Sequence, residues 1–309
     1  MSGFIKKVIR NRFMLLMILP GTIWFLIFAY LPMFGTVLAF KDFRISPDGF
    51  FASVLNSEWV GFKNFEYLFT TNDAYIITRN TILYNLAFII LGLVIAVGFA
   101  IMLSELVNKR TAKVYQTGMF LPHFLSWVII SYFAFTFLSV DKGTLNQIIT
   151  YFGGEPISWY SEAKYWPFIL VFVGIWKGVG YNSVIYLAAI TGIDKSYYEA
   201  AVIDGASKWK QVRYITIPLL KPLMIILTIL AIGGIFRSDF GLFYQLPKDS
   251  GALYPVTNVI DTFVYRGLMN MGDIGMSTAA GLYQSFVGLV LILVANYIVR
   301  RIEKDHAIF

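Results

Sequence analysis

Residues 197–222 read Tyr-Tyr-Glu-Ala-Ala-Val-Ile-Asp-Gly-Ala-Ser-Lys-Trp-Lys-Gln-Val-Arg-Tyr-Ile-Thr-Ile-Pro-Leu-Leu-Lys-Pro, a polar, charged segment between two long apolar stretches. The pattern predicts a short helix opened by Asp194 as N-cap and closed by Gly205 in the left-handed conformation. Ser207 can then cap a second short helix carrying Trp209, Val212 and Arg213. Pro218 fits the first turn of the next helix, where a missing N–H costs little. On the first helix Tyr198, Ala201, Val202 and Gly205 share a face by their three-and-four spacing, and the small Ala200 and Ala201 let another backbone come close. Glu199 stands beside that docking surface.

The rest of the composition belongs in a bilayer. Hydrophobic residues make up 58% of the chain and charged residues 14%, with a mean hydropathy of +0.68, so a soluble core could not hide the apolar surface. A span needs about 20 mostly apolar residues. Such stretches are predicted at 13–40, 80–104, 114–140, 165–193, 215–237 and 276–299, giving six transmembrane helices in an all-α integral membrane protein of one domain over 1–309. The polar segment becomes a loop at 194–218. The basic start followed by an apolar run lacks a small-residue cleavage site, and it reads as a retained first span. Small residues at Gly92-x-x-x-Ala96-x-x-x-Ala100, Gly174-x-x-x-Gly178 and Gly281-x-x-x-Ser285 favour close helix packing.

Charge sets the orientation. With both termini cytoplasmic, the inner segments hold 15 Lys+Arg, including Lys6, Lys7, Arg300, Arg301 and Lys304, against 6 acidic residues. The outer segments hold 9 basic against 12 acidic residues. Positive charge gathers inside, which places the Glu199 loop in the cytoplasm. The basic balance then reflects topology and anionic lipid headgroups, with no role for nucleic acid. The longest polar stretch, Lys41 to Arg79, carries aromatics over Trp59–Phe69. They suit a helix at the outer interface, serving as a membrane anchor or a protein contact.

The order Glu199-Ala200-Ala201, Gly205 and Ile217-Pro218 resembles the coupling loop of the permease subunits of bacterial ABC importers. Further segments, namely Leu121-Pro122-His123-Phe124-Leu125-Ser126-Trp127, Ile175-Trp176-Lys177, Tyr186 to Asp194, Ser238 to Gln245 and Asp273 to Ser277, resemble the carbohydrate-importing branch for polysaccharides and aldouronates, related to the maltose-transporter permeases. The resemblance runs over nearly the whole chain. It implies a type I importer permease in a bacterial cell membrane, with Glu199, Ala200, Ala201, Asp204 and Gly205 meeting an ATPase. The implied partners are a second, homologous permease forming a heterodimer, a cytoplasmic ATPase dimer and an extracytoplasmic solute-binding protein. Oligosaccharides are the implied cargo.

What the chain lacks agrees with that division of labour. It has no Gly-x-x-x-x-Gly-Lys-Ser/Thr phosphate loop, so ATP hydrolysis is expected on a separate subunit. There is no cysteine, and the two histidines, His123 and His306, are far apart in sequence. No catalytic motif, metal set or cofactor is expected. The candidate substrate path comprises Lys177, the one ionisable group well inside a span, with Asp239, Phe243, Tyr244 and Gln245. In Arg237–Gln245 aromatic rings alternate with hydrogen-bonding groups, chemistry suited to the C–H faces and hydroxyls of sugars. Two alternatives stand beside this reading: Lys177 can cap helix-end carbonyls, and Arg237 can pair with Asp239 at the interface. An ion-coupled transporter or a permease for a non-sugar solute is the competing function.

Overall fold

The computed structural model describes Lys7 and residues 10–302; Lys6, Lys304 and His306, used above, lie outside the described residues. Where the sequence predicts one domain, the chain separates into two compact units. One contains the described residues through Thr70 together with 264–283, and the other contains 71–263 and the residues from Gln284 onward.

In the first unit, α1 (Arg12–Phe25) passes through a π turn (Leu26–Tyr30) into a 3-10 stretch ending at Phe40. No residue of Arg12–Tyr30 is buried. Beyond Arg12 the helix is uncharged, apolar all round and unburied, and such a surface finds its solvent in lipid. Strand β1 (Lys41–Asp42) then pairs antiparallel with β2 (Glu58–Trp59), and α2 (Phe50–Asn56) lies between them in sequence. The interfacial helix expected over 59–69 is absent. Gly61 turns the chain at φ +60, followed by a 3-10 turn (Lys63–Phe65) and the short α3 (Tyr67–Thr70). The aromatics instead gather around Phe40, with Trp59, Phe62 and Phe65 at ring distances of 5.6, 5.5 and 5.4 Å.

The second unit begins with α4 (Asn72–Ser104), capped by Thr71. It continues through α5 (Lys109–Phe124), α6 (Trp127–Leu138), α7 (Thr144–Tyr151), α8 (Trp166–Thr191), α9 (Lys195–Ile203), α10 (Lys208–Gln211), α11 (Ile217–Gly233) and α12 (Tyr254–Thr257). Two further helices, α13 (Ile260–Arg266) and α14 (Ile274–Ile302), close the chain. Among the described residues, five helical stretches are long and apolar enough to cross a membrane: Arg12–Phe40, Asn72–Ser104, Ala163–Thr191, Lys208–Gly233 and Ile274–Arg301.

The sixth span, expected at 114–140, is present as a broken pair, α5 and α6, meeting at 98°. Pro122 removes an N–H from the last turn of α5. Leu125 is then extended at ψ 134, and the Ser126 hydroxyl accepts from the Ile129 N–H at 3.3 Å to start α6. Pro218 sits in the first turn of α11, as expected, but α11 does not start afresh there. The helix runs unbroken from Lys208 to Gly233 because a π turn over Val212–Thr216 intervenes, with the Ile217 N–H donating to the Val212 carbonyl. The wider turn makes room where the proline ring would meet a carbonyl four residues back.

Two apolar clusters hold this unit. Tyr84, Ile130, Trp166, Leu170, Leu242 and Phe243 belong to one; Ala96, Val97, Ala100, Tyr186, Ile190 and Leu220 form the other. Polar groups of α4 fasten the segment before α13. Asn80 Nδ2 donates to the Asn258 carbonyl at 2.9 Å, the Tyr84 hydroxyl donates to the Val256 carbonyl at 2.8 Å, and the Ile260 N–H donates to Thr81 Oγ1 at 3.0 Å.

The tightest backbone approaches fall partly outside the small-residue motifs. A Cβ at Gly180 would lie 1.9 Å from the Met119 carbonyl oxygen, and one at Gly288 would lie 2.6 Å from that of Gly233. At Gly281, by contrast, a Cβ would meet nothing within 4 Å. Because α5 and α8 touch through backbone at Gly180, Gly180→Ala should push them apart and destabilise the protein by about 1–3 kcal/mol, as overpacking does. Thermal melting of the purified variant checks this, and an unchanged midpoint would deny the close approach.

Candidate functional site: the 194–218 segment and the cavities behind it

The segment at 194–218 is built from its caps. Asp194 accepts from the Ser196 N–H at 2.9 Å and starts α9. Hydrogen bonding from Ser196 holds the Asp194 carboxyl below its usual range. Gly205 ends α9 at φ +73. Its N–H donates to the Val202 carbonyl at 3.0 Å while the Ala206 N–H donates to the Ala201 carbonyl at 2.8 Å. That pair of bonds is the Schellman arrangement. Ser207 Oγ then accepts from the Lys210 N–H at 3.5 Å to start α10.

One contact closes the segment on itself and one ties it to the residue after α4. The Tyr198 hydroxyl meets Thr216 Oγ1 at 2.9 Å, and Lys208 Nζ lies 2.8 Å from Glu105 Oε2, just past the end of α4. The face expected to dock is therefore split. Tyr198 and Ala201 are half-buried and turned toward the protein, whereas Glu199, Ala200, Val202, Ile203, Asp204 and Gly205 are exposed. Ile203 is 86% exposed and Trp209 68%, so an apolar surface surrounds the Glu199 carboxylate. Behind the segment lies a cavity of ≈ 850 Å³ whose lining includes Glu105, Lys113, Gln116, Lys195 and Tyr198.

Farther along the same helices, the candidate path residues fall into different environments. Lys177 Nζ donates to the His123 carbonyl at 2.8 Å and the Leu125 carbonyl at 2.9 Å. It thus caps the broken end of α5, the second of the roles considered above. The ammonium also stands 5.3 Å from the Trp127 ring centroid. Trp127 Nε1 donates to Asp239 Oδ2 at 2.8 Å, and Asp239 Oδ1 accepts from the Leu242 N–H at 3.3 Å. Gly241 is pressed so closely to Trp127 that a Cβ there would lie 2.0 Å from the ring.

Phe243 is only 2% exposed and packs on Tyr84, so its ring belongs to the core. Tyr244 stacks on Phe240 at 4.9 Å. The Gln245 carbonyl accepts from the Ser131 hydroxyl at 2.7 Å. No Arg237–Asp239 ion pair forms; Arg237 Nη2 donates to Ser285 Oγ at 3.2 Å.

Asp239 and Trp127 open onto a cavity of ≈ 190 Å³ lined also by Phe88, Gly92, Gly174, Gly178 and Asn182. Phe88, Gly92 and Asn182 line a second cavity of ≈ 200 Å³ as well, together with Tyr186 and Thr228. Trp127, Asn182 and the role of the glycines were not read from the sequence. The signals were present: a polar Asn182 within a span, and a Pro122 four residues before a serine cap.

This architecture of apolar spans around a capped polar segment defines a membrane transport subunit. Residues 89–304 match the family described as binding-protein-dependent transport system inner membrane component, and the chain belongs to that family. It is 36% identical over 299 residues to the polygalacturonan/rhamnogalacturonan transport system permease protein YteP of Bacillus subtilis (strain 168), covering 97% of this chain and 91% of that protein. It also resembles a chain in the crystal structure of a bacterial ABC transporter involved in the import of the acidic polysaccharide alginate. There the identity is 32% and the TM-score 0.87, covering 97% of this chain and 99% of that one. A bacterial alginate ABC transporter in complex with an alginate pentasaccharide-bound periplasmic protein gives 32% identity and a TM-score of 0.86, covering 97% and 98%. The ion-coupled alternative falls with this membership.

Two predictions follow from the geometry. Lys177→Met should leave the His123 and Leu125 carbonyls without their donor and lower stability by about 1–3 kcal/mol; a thermal midpoint equal to wild type would remove the capping role. Asp261 lies between spans, where its Oδ2 accepts from the Ser238 N–H at 2.7 Å and from Gln284 Nε2 at 3.4 Å. Burial nevertheless pushes its carboxyl above the usual range. A raised folded value favours the fold in acid, below the ordinary pKa of about 3.9, and that contribution is lost as pH rises through the folded value. Asp261→Asn should therefore match or exceed wild-type stability at pH 7, with the difference narrowing toward pH 4. Parallel melting curves would show that the carboxyl does not titrate in this way.

Proposed function

We propose that this chain is one half of the translocation pathway of an ATP-driven importer for oligosaccharides. It pairs with a second, homologous permease. An extracytoplasmic binding protein delivers the sugar, and a cytoplasmic ATPase dimer supplies the work. The observation that carries the reading is the 194–218 segment. Its helix α9 is capped at both ends, Tyr198 meets Thr216 within the segment, Lys208 pairs with Glu105 just past α4, and apolar side chains including Ile203 are exposed near Glu199 in sequence. Such a surface on a polar loop suits a protein partner, and the chain has no phosphate loop of its own. The relatives' sugar cargo and the excess of basic residues on the loop's side support the substrate class and the cytoplasmic placement.

The cavity bordered by Trp127, Asp239 and Asn182 is the proposed passage for sugar. It offers an aromatic face beside carboxylate and amide groups. Lys177 acts there indirectly by holding the broken helix that presents Trp127. Phe243, Tyr244 and Gln245 support the wall.

Gly205→Val should strain the left-handed turn without any clash, since a Cβ there meets nothing within 4 Å. Glu199→Lys reverses the exposed charge. Both variants should insert normally, yet fail to retain the ATPase or fail to couple its hydrolysis to substrate. Co-purification and ATP-dependent uptake measure this directly; wild-type behaviour of both variants would refute the coupling assignment.

A further inference from the structure

Arg237 follows the end of α11 and overhangs a separate cavity of ≈ 290 Å³, lined by Leu230, Gly233, Gly234, Gln284, Ser285 and others. Its side chain is exposed. Among the described residues its one hydrogen bond uses Nη2, to Ser285, and no carboxylate forms an ion pair with it. Asp239 is engaged by Trp127, and Asp261 accepts from Ser238 and Gln284 while interacting with the Arg237 charge without a direct ion pair. A guanidinium presents five donors in a planar fork matched to a carboxylate. Most of that fork is open here.

The surroundings fit a sugar acid. Gly233 and Gly234 leave backbone on the cavity wall, Gly288 is buried against the Gly233 carbonyl, and Leu230, Leu289 and Ile292 supply apolar surface for C–H faces. The proposed passage carries the Asp239 carboxylate, two residues along the chain from Arg237, and a carboxylate repels an anionic sugar. A cation at this end offsets that repulsion.

We infer that Arg237 reads the carboxylate of a uronate-bearing oligosaccharide as it enters the permease. The inference rests on the importer reading above and narrows its substrate class from oligosaccharides to acidic ones. A lipid phosphate offers similar chemistry to the same fork, so the test separates the two sources.

The experiment measures uptake by cells carrying the complete transporter, using labelled trigalacturonate and its carboxyl-reduced, neutral counterpart. Wild type should show the lower KM for the acid. Arg237→Gln should raise the KM for trigalacturonate about tenfold, the loss typical of a hydrogen bond to a charged group, and leave the neutral sugar little changed. Arg237→Lys, which keeps charge without the fork, should fall between. Equal weakening of both sugars, or a defect that follows depletion of anionic phospholipid, would identify a headgroup anchor and overturn the assignment. Undiminished preference for the acid in Arg237→Gln would overturn it too. ATP-dependent import of the neutral sugar with no preference for the acid leaves the importer standing and removes the carboxylate reading. Absence of ATP-dependent uptake of any oligosaccharide sinks the importer reading itself.

Discussion

Backbone polar groups inside a bilayer have no water to turn to, and the break between α5 and α6 leaves several of them exposed to that cost. Lys177 resolves it. Its ammonium reaches from α8 to the carbonyls at the end of α5, where the helix dipole also favours a cation. The charge therefore stays inside the protein because the break needs it, and the break persists because the charge satisfies it. From this arrangement follows the placement of Trp127 directly after the Ser126 cap. Trp127 in turn holds Asp239 and leaves room for no side chain at Gly241. One ammonium thus organises the wall of the central cavity.

The sequence discloses local chemistry better than chain path. The caps at Asp194 and Ser207 and the left-handed Gly205 were legible because each depends on residues a few positions apart. Hydrophobic length located the helices, but it could not show that 114–140 bends. Pro122 and Ser126 mark the break, yet the compensation comes from Lys177 on another helix. The continuity through Pro218 was hidden for a related reason: a π turn is a response to the proline that carries no residue signature of its own. The outward face of α9 was also misjudged. Three-and-four spacing fixes which residues share a side, whereas the partner Thr216, met by Tyr198, decides which side turns inward.

The candidate path divides along the same line. Its aromatic and polar composition was readable, but alternation in sequence did not separate wall from core. Phe243 lies in the core against Tyr84, while Asp239 reaches the cavity. Gly92, Gly174 and Gly178 illustrate how a packing motif can serve two ends. Gly174 lets Phe88 approach, with a Cβ there only 2.7 Å from the ring, whereas Gly178 faces almost open space and lines the cavity.

The proposed coupling segment and the proposed passage are joined covalently. Helix α8 carries Lys177 and the cavity residues Gly174, Gly178 and Asn182, then runs to Thr191, just before the Asp194 cap. On the other side, Lys208–Gly233 is one helix of 26 residues, about 39 Å at 1.5 Å per residue. It ends shortly before Arg237 and Asp239. The exposed 194–205 helix therefore occupies the connection between two helices that both lead to the cavity wall. Its Tyr198 hydroxyl meets Thr216 within the second of those helices, whose first residue, Lys208, pairs with Glu105 just past α4. On the proposed coupling role, a force applied at Glu199 passes through the short turns flanking α9 into these two helices, which lead toward the Trp127–Asp239 contact.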